Sequence, residues 1–403
     1  MCLVTVVCVE ARAGDWPQIL GPTRNGVATG EKLVDKWPKS GPKVLWRRKV
    51  GDGFSGVAVS NGIAVLFHRV GAKEVVEGLN ALTGKPLWKA EHPTTFRSPY
   101  SPDKGPRCTP VIHKQHVYVF GAQGVLRCLN LKDGKSIWMR KTHAEFEAPE
   151  GYFGAGSTPI VAGGNLLVNV GSREDAGIVA FDLKTGQTAW KSTREYGSYS
   201  SPVAATIDGV KHVFFVTRMK LVSLDPDTGK VRFSFPFGKR GPTVNASSPV
   251  VLGGHLFVTA HYGVGARYVK IGKTSAKIVW SSDAIMSSQY TTPLPHKGHL
   301  IGIHGQERVE AGELRCFDPR TKQVRWTKPD FGYGTMIEAD GKLLFLSTTG
   351  QLVLLKADAR KYRELARASV FDTTTRALPA LSNGRLYVRD TRTLKCLHVG
   401  VSR

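Results

Sequence analysis

A motif that returns along the whole chain is clearest in Ile178-Val-Ala-Phe-Asp-Leu-Lys-Thr-Gly-Gln-Thr-Ala-Trp190. An apolar run ends in Asp, a Thr-Gly pair follows, and a Trp stands four residues after the Gly. The same frame recurs as Asn80…Gly84…Trp88, Asn130…Gly134…Trp138 and Asp225…Gly229…Phe233, and weaker copies end at Trp280 and Trp326. A period of about 45 residues is typical of an internal repeat in which every copy is one supersecondary unit.

Most copies of the motif are preceded by a second landmark, a Pro next to small and apolar residues. Examples are Ser157-Thr-Pro-Ile160, Ser201-Pro-Val203 and Ser248-Pro-Val250. A turn marked by Gly and a β-rich run follow each one, as in Leu166–Val170 and Leu256–Thr259. Apolar and polar residues alternate with a period of two in these runs, which favours strands over helices. Each copy therefore predicts four antiparallel strands, which is the composition of one propeller blade.

The repeat count predicts eight blades. They begin near Ser55, Cys108, Ser157, Ser200, Ser247, Thr291, Tyr333 and Ala377. The last copy ends near Val399 without its Trp strand, whereas Trp46, in Lys43-Val-Leu-Trp46, has no copy before it. We expect this N-terminal strand to join the C-terminal blade and close the ring, because closure removes the exposed sheet edges of an open array. The predicted fold is all-β: an eight-bladed β-propeller of four-stranded antiparallel blades over residues 43–403, with a lead-in segment at 14–42.

The recurring residues have structural explanations. One Trp per blade can wedge between neighbouring sheets, and the Asp or Asn before the Thr-Gly turn caps the backbone of its own turn. One carboxylate per separate blade does not form a calcium-chelating cluster. Cys128, Cys316 and Cys396 share one repeated context and are expected to be small buried hydrophobic residues. The sequence has no Cys-x-x-Cys, no Cys-x-x-Cys-His and no adjacent Cys pair.

Residues 1–13 predict the compartment. Leu3–Val9 is a short apolar run, and Ala11-Arg12-Ala13 has the small-x-small form of a signal-peptidase site. Basic residues and a longer apolar stretch normally precede such a site, so we expect a truncated signal peptide, a start codon placed too late, and a periplasmic or secreted protein. The alternative is that Leu3–Val9 is an ordinary strand. A lipid anchor at Cys8 is not expected, because Val7 is bulkier than such a site requires. No apolar run reaches the ~18 residues of a membrane helix.

The repeat resembles the pyrroloquinoline-quinone-type propeller repeat, whose pattern is small-x-x-Gly-x-hydrophobic-Asp-x-x-Thr-Gly-x-x-x-Trp. A second similarity lies in Trp16-Pro-Gln-Ile-Leu-Gly-Pro-Thr-Arg-Asn-Gly26, which looks like the lead-in of secreted bacterial members of that family. The resemblance covers residues 15 to about 400, and it is specific for the fold rather than for a function.

Two branches of that family imply different functions. Quinoprotein alcohol dehydrogenases bind pyrroloquinoline quinone (PQQ) with calcium at the propeller centre, usually beside an adjacent Cys pair, and use acidic calcium ligands with a catalytic Asp. This chain lacks the Cys pair, and none of its Asp or Glu residues aligns with those ligands. In length, blade number and secretion it is more similar to the non-catalytic branch of the outer-membrane assembly factor BamB. The resemblance therefore implies a binding or scaffold protein with no cofactor, and a PQQ- or metal-dependent oxidoreductase is the alternative.

The loop after the second strand of a blade usually faces the central funnel in such propellers, and long insertions lie beside it. The residues predicted there to bind a partner are His68, Arg97, Arg107, Arg173, Arg218, His261, His304, Arg308 and Asp390. Convergence of His68, His261 and His304 on one metal ion is a possible arrangement, but their spacing is not characteristic and we expect solvated or hydrogen-bonded histidines. Glu145 and Glu147 are too close in sequence for an acid–base pair. No catalytic residue and no metal site are predicted.

The composition is strongly basic, and a generally basic, soluble surface is the interpretation we favour over specific polyanion binding. The 403 residues include 56 Lys and Arg against 32 Asp and Glu, a net charge of +24. The positive potential attracts acidic polymers or lipid headgroups, although the basic residues are spread over all blades and no nucleic-acid motif is present. We expect a monomeric, non-catalytic scaffold for a protein or cell-envelope partner. A binder of an acidic polymer or lipid headgroup is the second alternative, and its binding would fall steeply with salt.

Overall fold

The computed structural model describes residues 4–5 and 14–401. Strands dominate these residues, and one helix, α1 (Thr142–Glu145), is present among them. The predicted signal-peptide remnant at 1–13 lies outside the described residues, apart from the backbone of a short strand, β1 (Val4–Thr5). No helix within 14–401 is long and apolar enough to cross a membrane.

The first half of the chain contains the strands of blades I to IV. Two further strands precede the first complete blade, β2 (Val27–Ala28) and β3 (Val44–Lys49). Blade I holds β4 (Ala58–Ser60), β5 (Ile63–Val70), β6 (Lys73–Asn80) and β7 (Pro86–Pro93), and blade II holds β8 (Val111–His113), β9 (His116–Phe120), β10 (Val125–Asn130) and β11 (Ser136–Lys141). Blade III holds β12 (Ile160–Ala162), β13 (Asn165–Asn169), β14 (Ile178–Asp182) and β15 (Thr188–Ser192). Blade IV holds β16 (Val203–Ile207), β17 (Val210–Val216), β18 (Lys220–Leu224) and β19 (Val231–Pro236).

The second half continues the same order. Blade V holds β20 (Val250–Leu252), β21 (His255–Ala260), β22 (Gly265–Ile271) and β23 (Ala276–Ser282), and blade VI holds β24 (Leu294–His296), β25 (His299–His304), β26 (Glu313–Phe317) and β27 (Val324–Lys328). Blade VII holds β28 (Gly334–Ala339), β29 (Lys342–Ser347), β30 (Gln351–Lys356) and β31 (Glu364–Ser369). Blade VIII holds β32 (Ala380–Ser382), β33 (Arg385–Arg389) and β34 (Thr393–His398), with β3 as its fourth strand.

The chain divides into two compact units. Of the described residues, the first unit contains 4–5, 140–151 and 155–333 and carries blades III to VI. The second contains 14–139, 152–154 and 334–401 and carries blades VII, VIII, I and II, and the division falls inside β11.

The eight-bladed fold and the completion of the last blade are confirmed. In blade VIII, β3 pairs antiparallel with β34, which gives the strand order β3-β34-β33-β32. Strand β3 carries Trp46 and so supplies the Trp that the last repeat lacks. Two short strands extend other sheets, because β1 pairs with β16 and β2 runs parallel to β28.

The Trp side chains lie between neighbouring blades, as predicted. In the second unit, Trp46 Nε1 donates to the carbonyl oxygen of Ala81 at 3.1 Å. The Gly of the next Thr-Gly turn lies against the same ring, since a Cβ on Gly84 would stand 2.6 Å from Trp46. Gly134 and Trp88 are related in the same way, at 2.4 Å. The Gly and the Trp of the motif are therefore contact partners across a blade boundary.

The polar and sulfur residues of the motif have the predicted local roles. Asn80 Oδ1 accepts hydrogen bonds from the backbone N–H groups of Leu82 and Thr83, both at 3.0 Å. Hydrogen bonds from Thr185 hold the pKa of Asp182 below its usual value. The free cysteines of the described region are all buried, and they are Cys108, Cys128, Cys316 and Cys396.

The lead-in segment, residues 14–42, packs on the second unit. Trp16 is buried, and its backbone forms an antiparallel bridge with Val59 of blade I. Strand β2 lies along the first strand of blade VII, and Leu33 bridges Gly400 next to blade VIII. The segment therefore contacts three blades of one unit.

The strands of a blade end at two different sides. Consecutive strands run antiparallel, so alternate connections lie at the same end. The turn after the first strand and the Thr-Gly turn after the third form one end, which we call the turn side. The loop after the second strand and the connection to the next blade form the other end, which we call the loop side. The predicted site residues belong to the loop side.

Candidate functional site

His68 lies inside β5 and is 3% exposed, so its prediction as a loop residue is wrong. The strand continues to Val70 before it turns. His68 Nδ1 accepts from the backbone N–H of Gly51 at 2.9 Å, and Nε2 lies 3.3 Å from Glu77 Oε1. Burial acts to raise the pKa of Glu77, but the hydrogen bond from His68 and the charge of Arg48 outweigh it and hold the pKa below its usual value. Both nitrogens of His68 are thus engaged at one strand junction.

The connection between blades I and II carries two predicted arginines. Arg97 is exposed. Arg107 is half-buried, and its Nη1 donates to the carbonyl oxygen of Gly105 at 3.1 Å. Its guanidinium also lies over the rings of Phe54 and Phe153, 5.6 and 5.4 Å from their centroids. Cation–π contacts of this kind hold a guanidinium against aromatic surface.

More aromatic side chains gather around Arg107. Tyr100 makes edge-on contacts with Tyr152 and Phe153, with ring centroids 5.0 and 6.3 Å apart. Arg376 lies over Phe54, 5.6 Å from its centroid. Tyr100 is nevertheless 61% exposed. We call this group the aromatic–arginine cluster, and its members are Phe54, Tyr100, Arg107, Tyr152, Phe153 and Arg376.

Asp390 caps a turn of blade VIII. Its Oδ1 accepts from the backbone N–H groups of Arg392 and Thr393 at 2.8 and 2.6 Å. The hydroxyl of Thr373 donates to Oδ2 at 2.5 Å. The side chain is 5% exposed, so its oxygens serve the loop between β33 and β34.

The three predicted arginines of the first unit differ in their surroundings. Arg218 donates to the carbonyl oxygens of residues 239 and 241 at 2.9 and 2.7 Å, which ties two loops together. Arg173 is exposed and lies over the ring of Tyr196, 5.4 Å from its centroid. Arg308 is exposed. Arg173 and Arg308 therefore present charge to solvent, whereas Arg218 holds the backbone.

His304 is the last residue of β25, so its prediction as a loop residue is also wrong. It meets His261 in a pocket of the first unit, on the loop side of blades V and VI. The pocket has a volume of about 450 Å³, and its lining consists of His261, Gly263, Asp283, Ala284, Ser287, His304, Glu310 and Arg315. His261 Nε2 lies 3.2 Å from Glu310 Oε1. His304 Nδ1 accepts from the backbone N–H of Ser287 at 3.0 Å.

The pKa of His304 lies below its usual value. Burial and the charge of Arg315 lower its pKa, and the nearby carboxylates of Glu313 and Glu310 offset only part of that effect. Because Nδ1 accepts a hydrogen bond, the neutral ring carries its proton on Nε2. The imidazole can therefore donate one hydrogen bond through Nε2.

The pocket combines a histidine–carboxylate pair with no activated nucleophile. Of the described residues that line it, Ser287 alone carries a hydroxyl, and this hydroxyl donates to the carbonyl oxygen of Ala260 at 3.3 Å. Nucleophilic catalysis needs a base within hydrogen-bond reach of the hydroxyl. His304 contacts the backbone of Ser287 instead. The arrangement suits hydrogen-bonded recognition better than covalent catalysis.

Carboxylates do not gather into a metal site in the described part of the chain. Within it, no group of three or more His, Cys, Asp or Glu side chains is arranged to hold an ion. Glu74 accepts from the backbone N–H of Ala122 at 2.8 Å, and burial raises its pKa to about 6. Calcium requires several oxygen ligands at one point.

The sequence analysis did not predict two charged residues that line the pocket, Glu310 and Arg315. Arg315 occupies a recurring position, because Arg315 and Lys395 each donate to a backbone carbonyl of the preceding connection. Arg267 donates likewise to the carbonyl oxygen of Pro236, at the end of β19. A signal was present in the sequence, where Leu314-Arg315-Cys316 and Leu394-Lys395-Cys396 place a basic residue before the repeated Cys. Glu310 follows no such pattern.

Sequence comparison identifies relatives. Residues 72–328, more than half of the chain, match the sequence profile of a family described as outer membrane protein assembly factor BamB. BamB of Burkholderia pseudomallei (strain K96243) is 23% identical over 278 residues, which cover 66% of this chain and 65% of that protein. The chain therefore spans just under two thirds of the length of this relative.

Solved structures share the fold. BamB from Moraxella catarrhalis superposes with a TM-score of 0.63 at 15% identity, covering 90% of this chain and 98% of that one. Quinohemoprotein alcohol dehydrogenase from Comamonas testosteroni gives a TM-score of 0.66 at 15% identity, covering 98% of this chain and 82% of that one. At such identities the likeness concerns the fold alone. The profile match decides the family, and the chain belongs to the family of the outer membrane protein assembly factor BamB.

Proposed function

We propose that this protein is a non-catalytic binding and scaffold protein of the periplasm or the cell exterior, with a protein of the cell envelope as its partner. Family membership supports the proposal, because the relatives are described as outer membrane protein assembly factors. The proposal includes the organisation inferred from the sequence: a signal-peptide remnant at 1–13, a lead-in at 14–42 and the propeller at 43–403.

The aromatic–arginine cluster carries this proposal. Tyr100 is exposed, and contacts with two other rings fix its position. Protein interfaces are enriched in aromatic residues and Arg, and a side chain that is already ordered loses little entropy when it binds. The predicted residues Arg97 and Arg107 lie in the same connection. The cluster therefore offers the rigid aromatic anchor that a protein partner needs.

The contacts of the other predicted side chains support a binding function rather than a catalytic one. His68, Asp390 and Arg218 are engaged with neighbouring backbone groups. The pocket around His261 and His304 contains no hydroxyl in contact with an imidazole. These groups hold loops of their own units in place.

Photocrosslinking tests the proposal. We replace Tyr100 by p-benzoylphenylalanine and, as a matched control, Tyr196, a tyrosine that is 43% exposed in the first unit. We expect a discrete adduct with one envelope protein from the Tyr100 site only. With that partner purified, Tyr100→Ala/Arg107→Ala should weaken binding by tenfold or more, since each interface anchor contributes roughly 1 kcal/mol or more. Equal adducts from both sites, or unchanged affinity of the double variant, would contradict the proposal.

The fold likeness to a quinohemoprotein dehydrogenase makes PQQ with calcium the alternative function. Titration of the purified protein with PQQ and calcium separates the two functions, with quinone fluorescence and the melting temperature as readouts. The scaffold function predicts no saturable binding at micromolar quinone. Saturable binding with a raised melting temperature would replace it, and alcohols and sugars would then be assayed with an artificial electron acceptor.

A further inference from the structure

Acidic residues are scarce in one segment of the chain. Between Asp227 and Glu307 the sequence contains nine Lys and Arg residues and a single acidic residue, Asp283. This segment includes all of blade V and the first half of blade VI. The surface of these two blades therefore differs in charge from the rest of the first unit.

Strand register lines up basic side chains on the turn side of blade V. His255, Lys270 and Lys277 are direct cross-strand partners on β21, β22 and β23. They share one face of the sheet with about 5 Å between neighbours. Burial and the charge of Lys270 lower the pKa of His255, so the two ammonium groups dominate the row. Like charges opposite one another destabilise a sheet, and an anionic partner would remove that cost.

Blade VI continues the same basic surface. A Cβ on Gly298 would lie 3.9 Å from Nη2 of Arg320. Trp280 Nε1 of blade V donates to the carbonyl oxygen of Pro319 at 2.7 Å, which places the next residue, Arg320, beside blade V. Lys297 is the neighbour of Gly298 and is exposed. We call the exposed lysines of this surface the basic strip, and its members are Lys270, Lys273, Lys277, Lys297 and Lys322.

No acidic side chain of the described residues is paired with a lysine of the basic strip. The nearby Asp318 is bound by Arg320 at 2.7 Å. On the turn side of blade IV the situation is different, because Lys211 pairs with Asp227 at 3.0 Å and Arg232 with Asp225 at 2.7 Å. The positive potential therefore belongs to blades V and VI in particular.

Exposed aliphatic side chains lie beside the strip. Ile278 and Val279 follow Lys277 on the outermost strand of blade V and are 41% and 48% exposed. A soluble polyanion would contact the lysines and would not require the aliphatic side chains. A membrane surface uses both, since lysines attract anionic headgroups and aliphatic side chains enter the boundary between headgroups and acyl chains.

We propose that the basic strip, together with Ile278 and Val279, binds the surface of a membrane that contains anionic phospholipid. This goes beyond the function proposed above, because it uses the turn side of blades V and VI rather than the aromatic–arginine cluster. Each basic residue near an anionic surface contributes roughly a fivefold factor to binding. Loss of three strip lysines should therefore lower the partition coefficient about 100-fold.

Vesicle flotation with the full chain tests the proposal. The vesicles contain phosphatidylcholine with phosphatidylglycerol, or phosphatidylcholine alone. We expect binding only to the mixed vesicles, a steep loss of binding with added salt, and the 100-fold loss for Lys270→Gln/Lys277→Gln/Lys297→Gln. The substitutions relieve repulsion, so the melting temperature of this variant should be unchanged or higher. The matched control is Lys85→Gln/Lys132→Gln/Lys135→Gln, which removes the same charge from exposed lysines on the turn sides of blades I and II.

Three outcomes would overturn the proposal. They are equal binding to neutral vesicles, equal loss in the control variant, and strip-dependent binding of soluble polyphosphate without binding to vesicles. Ile278→Ser/Val279→Ser provides a second arm. It should lower vesicle binding several-fold without changing the salt dependence, and unchanged binding of this variant would contradict the assigned role of the aliphatic side chains. Crosslinking at Tyr100 is a separate measurement, so the two proposals can fail independently.

Discussion

Substitution of a single motif glycine tests whether the Gly–Trp contact holds neighbouring blades together. Gly84 and Gly62 lie in the two turns on the turn side of blade I, and both have a positive φ, +69° and +74°. A Cβ on Gly84 would stand 2.6 Å from the indole of Trp46, whereas a Cβ on Gly62 would meet nothing within 4 Å. Gly62→Ala is therefore a matched control for Gly84→Ala.

The two variants share one cost and differ in another. An Ala in the left-handed region costs roughly 1–2 kcal/mol at either position. In Gly84→Ala the ring of Trp46, which is 9% exposed and bonded to Ala81, must also move. Overpacking of this kind costs typically 1–3 kcal/mol. We expect Gly84→Ala to lower the free energy of unfolding by about 1–3 kcal/mol more than Gly62→Ala does.

Urea unfolding followed by Trp fluorescence and far-UV circular dichroism measures this difference. The extra cost corresponds to roughly 2–4 °C in melting temperature per kcal/mol for a cooperative unit of 150–250 residues. Trp46→Phe in the Gly84→Ala background should recover part of the loss, because a smaller ring leaves room for the methyl group. Equal destabilisation by the two Gly→Ala variants would refute the reasoning, since the contact across the blade boundary would then carry no free energy.

Two further predictions concern buried titratable groups. Glu77→Gln should cost about 1–3 kcal/mol near neutral pH, because the charge of a largely buried ion pair is lost. The pKa of Glu77 is lowered in the folded state, so its contribution is present above the usual glutamate pKa of about 4.3 and is lost as the pH falls below it. The free energies of unfolding of the wild type and of Glu77→Gln should therefore become equal as the pH is lowered. A difference between them that does not change with pH would contradict this prediction. Burial raises the pKa of the Cys128 and Cys396 thiols to about 12. In a Cys2→Ser/Cys8→Ser background, a thiol reagent should therefore label no cysteine until the protein unfolds. Fast labelling of the folded protein would contradict the burial of these thiols.

Residues that repeat are predictable from the sequence because one physical requirement recurs in every blade. Asn80 and Asp182 cap equivalent turns, and the spacing from the Gly to the Trp in the motif places both at blade boundaries. The missing Trp of the last repeat predicted the pairing of β3 with β34. Such features follow from local spacing and from the need to satisfy sheet edges, and they were sufficient to count the blades.

The candidate sites depend on positions that do not repeat. Tyr100 and Phe54 come together with residues 152–153 through connections whose conformations have no period. His68 was misplaced because strand length varies between blades, and β5 extends past the point where the repeat suggests a loop. Lys270 and Lys277 face each other only through the hairpin register, which includes a bulge next to Tyr268. Hydrophobic spacing does not fix such details.

Departures from the repeat also explain why three of the five lysines of the basic strip lie on blade V. In the other clear copies an Asp or Asn stands eight residues before the Trp and caps the turn; before Trp280 this position is Gly272. The turn is held instead by backbone, since Gly272 N–H donates to the carbonyl oxygen of Ser275 at 2.9 Å. Loss of the capping residue removes a group that could neutralise Lys273 and Lys277. Neither the missing capping residue nor the pair of lysines on opposite strands stabilises blade V. Binding of an anionic surface would account for both features.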